Sequence, residues 1–139
     1  MRGEKFIKNL GFIKVGEWKL KVSGDKKDIN FQLKMFEKER AIYAFVVDHE
    51  VKYIGICDSD NTTLKDRMRR YKYKQGGSTN ARINDEIKNC LLKQKQVEIF
   101  ALKPKEQYTY KSLNIDLIKG LENPLIKELD PEWNIQSKS

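Results

Sequence analysis

Two stretches in the first third of the chain alternate apolar with polar residues. The apolar positions are Trp18, Leu20 and Val22 in the first stretch and Ile29, Phe31, Leu33 and Met35 in the second. Alternation with a period of two is typical of strands that bury one face. Because the polar segment SGDKKD separates them, the two stretches are predicted to form a β-hairpin or two neighbouring strands.

The next stretch, AIYAFVVDHEVKYIGIC at 41–57, has two apolar runs around a polar turn. It predicts a second hairpin that is buried on both sides. Whether its two tyrosines lie on the same face of the hairpin depends on the length of the turn. A three-residue turn would pair Tyr43 with Gly55 and put Tyr43 and Tyr53 on one face, whereas a two-residue turn would put them on opposite faces.

From residue 61 onward, apolar residues recur at the three- and four-residue spacing of helices. They are Leu64, Met68 and Tyr71 in a first helix and Ile83, Ile87 and Leu91 in a second, and residues at 61–63 and 78–80 supply caps. A third strand is predicted at 96–102, a polar loop at 103–111 and a final helix at 113–129. Asp130-Pro131 is predicted to end that helix.

The order of these elements does not alternate strictly between strand and helix. It therefore favours an α+β fold with a small, mainly antiparallel sheet flanked by helices over a doubly wound parallel sheet. The 139 residues, 39% of them hydrophobic, suit a single domain with one modest core. Within it, residues 1–39 are predicted to form an N-terminal β-hairpin arm and residues 40–135 the core.

The charge of the chain indicates a polyanionic partner. Twenty-eight Lys and Arg against 20 Asp and Glu give a net charge of +8, which a lysine-rich solvated surface would also explain. The segment KDRMRRYKYK at 65–74 favours nucleic acid, because it interleaves six basic residues with tyrosines. The predicted nucleic-acid contacts are Lys65, Arg69, Arg70, Lys72 and Lys74, together with Arg82 on the second helix.

The sequence contains few residues that could bind a transition metal and no long apolar segment. Cys57, Cys90 and His49 are too few for a zinc site, so any metal is expected to be held by carboxylates and water, which favours Mg²⁺ or Mn²⁺. No apolar run reaches the ~18 residues that cross a membrane. The N-terminus lacks the apolar stretch of a secretory signal, and the cytosol is the expected location.

Two charged side chains lie on the apolar sides of predicted helices. Glu122 follows Ile118 by four residues, beside Pro124, and burying its carboxylate costs several kcal/mol unless a cation receives it. Arg67 lies one turn before Tyr71 and could direct its guanidinium at a phosphate. Each also has an ordinary interpretation, in which Glu122 reaches solvent at the border of the apolar stripe and Arg67 runs its stem over apolar surface.

Four segments taken in order resemble the GIY-YIG nucleases. They are IY at 42–43, YIG at 53–55, Leu64-Arg67-Tyr71 and GLENPLI followed by PEWN. The resemblance covers about residues 41–134. It implies a Mg²⁺-dependent endonuclease with a small antiparallel sheet flanked by helices. Two positions depart from the family pattern, because Ala41 replaces the opening glycine and Ile56 stands where many members have a basic or polar residue.

The resemblance also implies roles for five residues. Glu122 would hold the metal, Arg67 would bind the scissile phosphate, Tyr53 or Tyr43 would position or deprotonate the water, and Tyr71 matches the tyrosine one turn after the arginine. A tyrosine with an ordinary pKa is about one-thousandth phenolate at neutral pH. Neighbouring cations would therefore have to lower the pKa, and activity is expected to rise toward alkaline pH. The prediction requires Glu122 and Arg67 to converge on one hollow.

The leading hypothesis is therefore a double-stranded DNA endonuclease of restriction, repair or mobile-element type. A homodimer would allow both strands to be cut together. A catalytically silent nucleic-acid-binding module of the same fold is the alternative, and an RNA-binding α/β protein is the third, because nothing in the sequence separates DNA from RNA.

Overall fold

The computed structural model describes residues 3–57, 62–105 and 108–135. Four helices and seven strands follow one another along this part of the chain. In chain order they are α1 (Glu4–Leu10), β1 (Ile13–Ser23), β2 (Lys26–Leu33), β3 (Ala41–Val47), β4 (Glu50–Cys57), α2 (Leu64–Lys72), α3 (Ser78–Leu92), β5 (Val97–Leu102), β6 (Tyr108–Tyr110), β7 (Leu113–Ile115) and α4 (Leu117–Leu129).

Five strands form one antiparallel sheet in the order β2-β1-β5-β3-β4, which confirms the predicted α+β class. Every residue of β3 is buried, as the apolar runs predict. Strand β5 lies in the centre and pairs with both β1 and β3. Strand β4 lies at one edge of the sheet.

The two faces of the sheet carry separate cores. On one face, Tyr43, Phe45 and Tyr53 pack with the apolar sides of α2 and α3. On the other face, Ile42, Ala44 and Ile54 pack with residues of α1 and α4. Helices α2 and α4 therefore lie on opposite faces of the sheet.

Three regions differ from the sequence prediction. A short helix, α1, precedes the first strand and buries Ile7. The predicted polar loop at 103–111 contains β6, which pairs with β7 in a separate two-stranded sheet. The final helix consequently begins at Leu117, where Asp116 caps it, rather than at residue 113. It continues past Pro124 to Leu129.

The proposed division of the chain at residue 39 remains a prediction. Strands β1 and β2, which lie in the predicted arm, extend the same sheet as the core strands, because β1 pairs with β5 over residues 13–18. Beyond residue 18, β1 pairs with β2 alone. No helix in the described part of the chain is long and apolar enough to cross a membrane.

The β3–β4 hairpin combines a two-residue turn with a bulge. Val47 pairs with Glu50 across Asp48 and His49, and both turn residues have positive φ. That turn alone would put the two tyrosines on opposite faces. A register shift beyond Val46, which pairs with Val51, restores the pairs Phe45–Tyr53 and Tyr43–Gly55. Tyr43 and Tyr53 therefore lie on the same face, as expected for a three-residue turn, although the turn has two residues.

The chain after α4 crosses the edge of β4. The Trp133 amide donates to the carbonyl of Lys52, which lies in the bulge, at 2.8 Å. The Asn134 side chain accepts from the Ile54 amide and donates to its carbonyl, both at 2.9 Å. Trp133 is buried in the core that contains the tyrosines, although α4 itself belongs to the other core. The PEWN segment therefore holds this edge and joins the two faces.

Candidate active site

Three tyrosine hydroxyls and one guanidinium meet between the β3–β4 hairpin and α2. The hydroxyls of Tyr43 and Tyr71 are 2.5 Å apart, and those of Tyr71 and Tyr53 are 3.4 Å apart. Arg67 donates from Nε to Tyr43 at 3.3 Å and from Nη2 to Tyr71 at 2.9 Å. The structure thus brings together four of the five residues predicted to carry the chemistry.

The direction of these hydrogen bonds follows from the number of protons. Each hydroxyl has one proton to donate and can accept twice. Tyr71 donates to Tyr53, so in the pair of Tyr71 and Tyr43 the proton belongs to Tyr43. Tyr71 then accepts from both Arg67 and Tyr43 and is saturated. Tyr53 only accepts in this network, which leaves its own proton for a group outside it.

The three tyrosines differ in how deeply they are buried. Tyr43 and Tyr71 are completely buried, whereas 7% of the surface of Tyr53 is exposed. Burial raises the pKa of Tyr43 far above its ordinary value, and the charge of Arg67 only partly opposes this. Burial likewise raises the pKa of Tyr53 and of Tyr71. Among the protein groups themselves, desolvation of a phenolate outweighs the attraction of Arg67, so Arg67 does not lower the pKa of these tyrosines below its ordinary value.

Helix α2 fixes the position of Arg67. Thr63 caps the helix, and its side chain and that of Asp66 bond reciprocally to the backbone in a capping box. Leu64, Met68 and Tyr71 bury one side of the helix. Arg67 lies on that side, half-buried, with its guanidinium carbon 5.3 Å from the centre of the Tyr71 ring. Its guanidinium is thus held by packing as well as by hydrogen bonds.

Asn84 is a supporting residue that the sequence analysis missed. It is buried on α3 and donates to the carbonyls of Tyr71 and Lys72 at the end of α2, at 2.8 and 3.2 Å. Its position beside the apolar residues Ile83 and Ile87 is the signal that could have found it, because a buried amide needs a partner. Asn84 ties α3 to the turn of α2 that carries Tyr71.

Gly55 makes room for the Tyr43 ring. A Cβ placed on Gly55 would lie 2.5 Å from both the Cζ and the hydroxyl oxygen of Tyr43. Any other residue at this position would push the ring away from Tyr71 and Arg67. The glycine of the YIG segment is therefore explained by packing against the tyrosine across the hairpin.

Ile56, the departure from the family pattern, is on the other face of the sheet. It is half-buried and packs with the core that contains α4 residues. A basic residue at this position would face α4 rather than the tyrosines. Ala41, the second departure, is completely buried at the start of β3.

Glu122 is half-buried on α4, between the buried residues Ile118 and Ile126 of the same helical side. Its helix packs on β3 and β4 on the face opposite α2. Helix α4 packs directly on β4, whereas α2 reaches this strand through the Tyr71 side chain, whose hydroxyl bonds to that of Tyr53. A shared hollow would have to lie at this edge.

The side chains of the described residues limit what a metal site could be. Within residues 3–57, 62–105 and 108–135, no group of three or more His, Cys, Asp or Glu side chains could hold a metal ion. A Mg²⁺ ion nevertheless binds well through one carboxylate when water and substrate phosphate complete its shell. The donors present fit such a substrate-assisted site on Glu122 and do not fit an all-protein cage.

The predicted nucleic-acid contacts are arranged unequally around α2. Lys65, Arg69 and Lys74 are exposed, and Arg70 and Lys72 are half-buried. The ammonium of Lys74 is 3.7 Å from Asp85. Arg82 is half-buried on α3 and donates to the Trp133 carbonyl at 2.9 Å, and its charge acts on Tyr53. Arg82 thus lies near the tyrosines rather than on the outer surface of α2.

Solved structures that are similar to this chain include two nucleases. A mutant of bacteriophage T4 EndoII superposes with a TM-score of 0.72 at 26% identity, over 97% of this chain and 100% of that one. The restriction endonuclease HPY188I in complex with product DNA superposes with a TM-score of 0.54 at 21% identity, over 92% of this chain and 79% of that one. No family model and no curated protein matches the chain. The chain therefore has the α+β fold of these proteins, a compact nuclease fold.

Proposed function

We propose that this protein is a divalent-metal-dependent endonuclease that hydrolyses phosphodiester bonds of DNA. The observation that carries the proposal is the Arg67 guanidinium, hydrogen-bonded to Tyr43 and Tyr71 with Tyr53 beside them. The fold supports it, because one similar structure is a restriction endonuclease with product DNA. This constellation also supports membership of the GIY-YIG nucleases.

Arg67 binds the scissile phosphate. Its two hydrogen bonds to tyrosines use two of the five N–H donors of a guanidinium, and the remaining fork can meet phosphate oxygens. The positive charge is fixed before substrate arrives, so it stabilises the negative charge that develops on the phosphoryl oxygens without reorganisation.

The three tyrosines act as neutral hydroxyls. Tyr43 and Tyr71 are completely buried and position Arg67. Tyr53 is the partly exposed member, and its proton is not used in the network, so it donates to the attacking water or to a phosphate oxygen. The raised pKa values disfavour a phenolate base. A non-bridging phosphate oxygen then takes the proton of the water.

Glu122 holds the divalent ion, Mg²⁺ or Mn²⁺. When bound, such an ion supplies charge stabilisation at the leaving oxygen. The carboxylate of Glu122 on α4 would hold this ion, while Arg67 and Tyr53 would contact the phosphate that is cut. Strand β4 lies at the edge of the sheet, which is the geometry this arrangement needs.

Double-stranded DNA is the proposed substrate. The exposed cations Lys65, Arg69 and Lys74 on and after α2 meet flanking phosphates, and Arg70, Lys72 and Arg82 bind closer to the cut. A restriction-type role in the cytoplasm and a homodimer that cuts both strands belong to the same proposal.

The proposal is tested by incubating supercoiled plasmid with the purified protein, in Mg²⁺ or in chelator. We expect the wild-type protein to nick or linearise the plasmid in Mg²⁺ but not in chelator, and we expect Glu122→Ala to lose this activity. Glu128→Ala is the matched control, because Glu128 is an exposed glutamate on the same helix. Retained cutting in Glu122→Ala would remove the metal-ligand assignment. Salt-sensitive binding without cutting would instead favour the silent binding module.

A further inference from the structure

The β6–β7 hairpin exposes an apolar face that the proposed active site does not use. Tyr108 pairs with Ile115 and Tyr110 pairs with Leu113 across the two strands. Since directly opposed residues and residues two apart share a face, these four side chains lie on one side. Their exposed fractions are 50% for Tyr108, 62% for Tyr110, 66% for Leu113 and 45% for Ile115. Thr109 and Asn114 point to the opposite side.

The tip of the hairpin carries a cation beside an aromatic ring. Lys111 and Ser112 form the turn, both with positive φ, as tight two-residue hairpin turns require. The ammonium of Lys111 lies 5.4 Å from the centre of the Tyr110 ring. Lys105 and Lys119 are exposed on either side of the hairpin in sequence. The tip of the apolar face thus carries the positive charge of Lys111, which is complementary to a polyanion.

The hairpin lies at the same end of the sheet as the start of α2. A cavity of about 540 Å³ separates its base from that helix. Its walls include Tyr108 and Ile115 of the hairpin and Thr63 at the cap of α2. They also include two ion pairs, Arg40–Asp116 at 3.6 Å and Lys103–Glu39 at 2.9 Å. Arg67 follows Thr63 by four residues, or about 6 Å along a helix. A nucleic acid that runs from Arg67 along the first turn of α2 would therefore reach the hairpin.

We propose that the β6–β7 hairpin is a wedge that contacts duplex DNA beside the cut. Tyr110 and Leu113, opposed at the tip, enter between adjacent base pairs, and Lys111 binds a neighbouring phosphate. Apolar side chains that partly unstack a base step are an established means of bending DNA around a protein. This inference rests on the proposed function, because it takes the bound polymer to be the substrate.

A second copy of this chain is the competing occupant of the apolar face. A stable dimer buries about 800 Å² per partner, which is more than four partly covered side chains on two three-residue strands can provide. A protein interface would also exclude charge from its centre, whereas Lys111 lies at the tip beside Tyr110. The charge and the small area favour DNA.

The test compares Tyr110→Ala and Leu113→Ala with the control Thr109→Ala, which changes the opposite face of the same hairpin. Binding to a labelled duplex is measured by fluorescence anisotropy in chelator, so that no cutting occurs. We expect each wedge variant to weaken binding by about 5- to 100-fold and the control by less than about 2-fold. The side chains are exposed, so the thermal midpoints should stay within about 2 °C of wild type.

A duplex with 2-aminopurine at successive positions gives a second readout. Unstacking raises its fluorescence, and wild-type protein should produce a rise at one step that both wedge variants abolish. Wild-type affinity in Tyr110→Ala and Leu113→Ala would overturn the wedge while leaving the nuclease intact. If wild-type protein neither binds nor cuts DNA, the proposed function itself fails. Conversion of a dimer to a monomer by the variants, at unchanged DNA affinity, would assign the face to self-association and overturn the wedge.

Discussion

Replacing Tyr43 or Tyr53 by phenylalanine separates the positioning role from contact with the reaction. Each change removes one hydroxyl oxygen and leaves the ring in place. In Tyr43→Phe, Arg67 loses its Nε partner and Tyr71 loses the hydroxyl 2.5 Å away, both inside the protein. In Tyr53→Phe, only a long hydrogen bond of 3.4 Å is lost, at a residue with some exposure.

The magnitudes follow from these contacts. A buried donor left without a partner costs about 1–3 kcal/mol, and a hydrogen bond to a charged group belongs at the upper end of that range. We therefore expect Tyr43→Phe to lower the free energy of unfolding by about 2–3 kcal/mol. Tyr53→Phe should lower it by about 0.5–1 kcal/mol. For a chain of this size, these losses shift the thermal midpoint by about 6–12 °C and 2–4 °C respectively.

The rates should show the opposite order. Tyr53 donates to the reacting groups, so Tyr53→Phe should slow plasmid nicking by about 100-fold or more. Tyr43→Phe leaves the bond from Arg67 to Tyr71 in place, so the loss should be about 10-fold when measured well below its thermal midpoint. Tyr73→Phe is the control, because Tyr73 is 58% exposed and should change neither quantity. Nicking by Tyr53→Phe at the wild-type rate would refute the reasoning.

Three further predictions follow from the same contacts. Gly55→Ala should lower the free energy of unfolding by about 1–3 kcal/mol and also reduce the nicking rate, because the new Cβ meets the Tyr43 ring. Equal denaturation midpoints for the variant and the wild type would contradict this. The raised tyrosine pKa values predict that no tyrosine titration appears in the nicking rate from about pH 7 to 9.5. They also predict that the free energy of unfolding falls above about pH 10, because tyrosines of the unfolded chain lose their protons before those of the folded protein. A tenfold rise in the nicking rate per pH unit between about pH 7 and 9.5 would restore the phenolate base. Lys65→Ala and Arg69→Ala should each reduce the slope of log affinity for DNA against log salt by about 0.9, and an unchanged slope in both would remove the outer surface of α2 from the interface.

Much of the fold follows from local patterns. The alternation in β1 and β2 and the apolar runs of β3 and β4 predict strands correctly. The sheet buries Trp18, Ile29 and all of β3, although Val22, at the far end of β1, is exposed. The spacing of Leu64, Met68 and Tyr71 predicts α2, because these side chains are buried. Helix α1 and strands β6 and β7 escape prediction, because seven residues make only about two helical turns and three residues make less than two periods of a strand.

The candidate site is only partly readable from sequence. The pairing of Tyr43 with Gly55 is one of two alternatives that the hairpin sequence allows. The bulge that produces it contains Lys52, whose carbonyl accepts from the amide of Trp133, a residue distant in the chain. The direction of the tyrosine pKa shifts depends on burial by two helices, which spacing does not reveal. That Arg67 and Glu122 are on helices on opposite faces of the sheet is likewise a matter of tertiary packing.

The central claim is that Arg67 and Glu122 act on one phosphate at the edge of β4. A double-mutant cycle of Arg67→Lys and Glu122→Asp, read as single-turnover cleavage rates in Mg²⁺, tests it most directly. Groups that share a phosphate should couple by about 1–3 kcal/mol, so the double variant should be about 5- to 150-fold faster than the product of the two single effects predicts. Additive effects, within about 0.5 kcal/mol, would mean that the two residues act independently and would contradict the account.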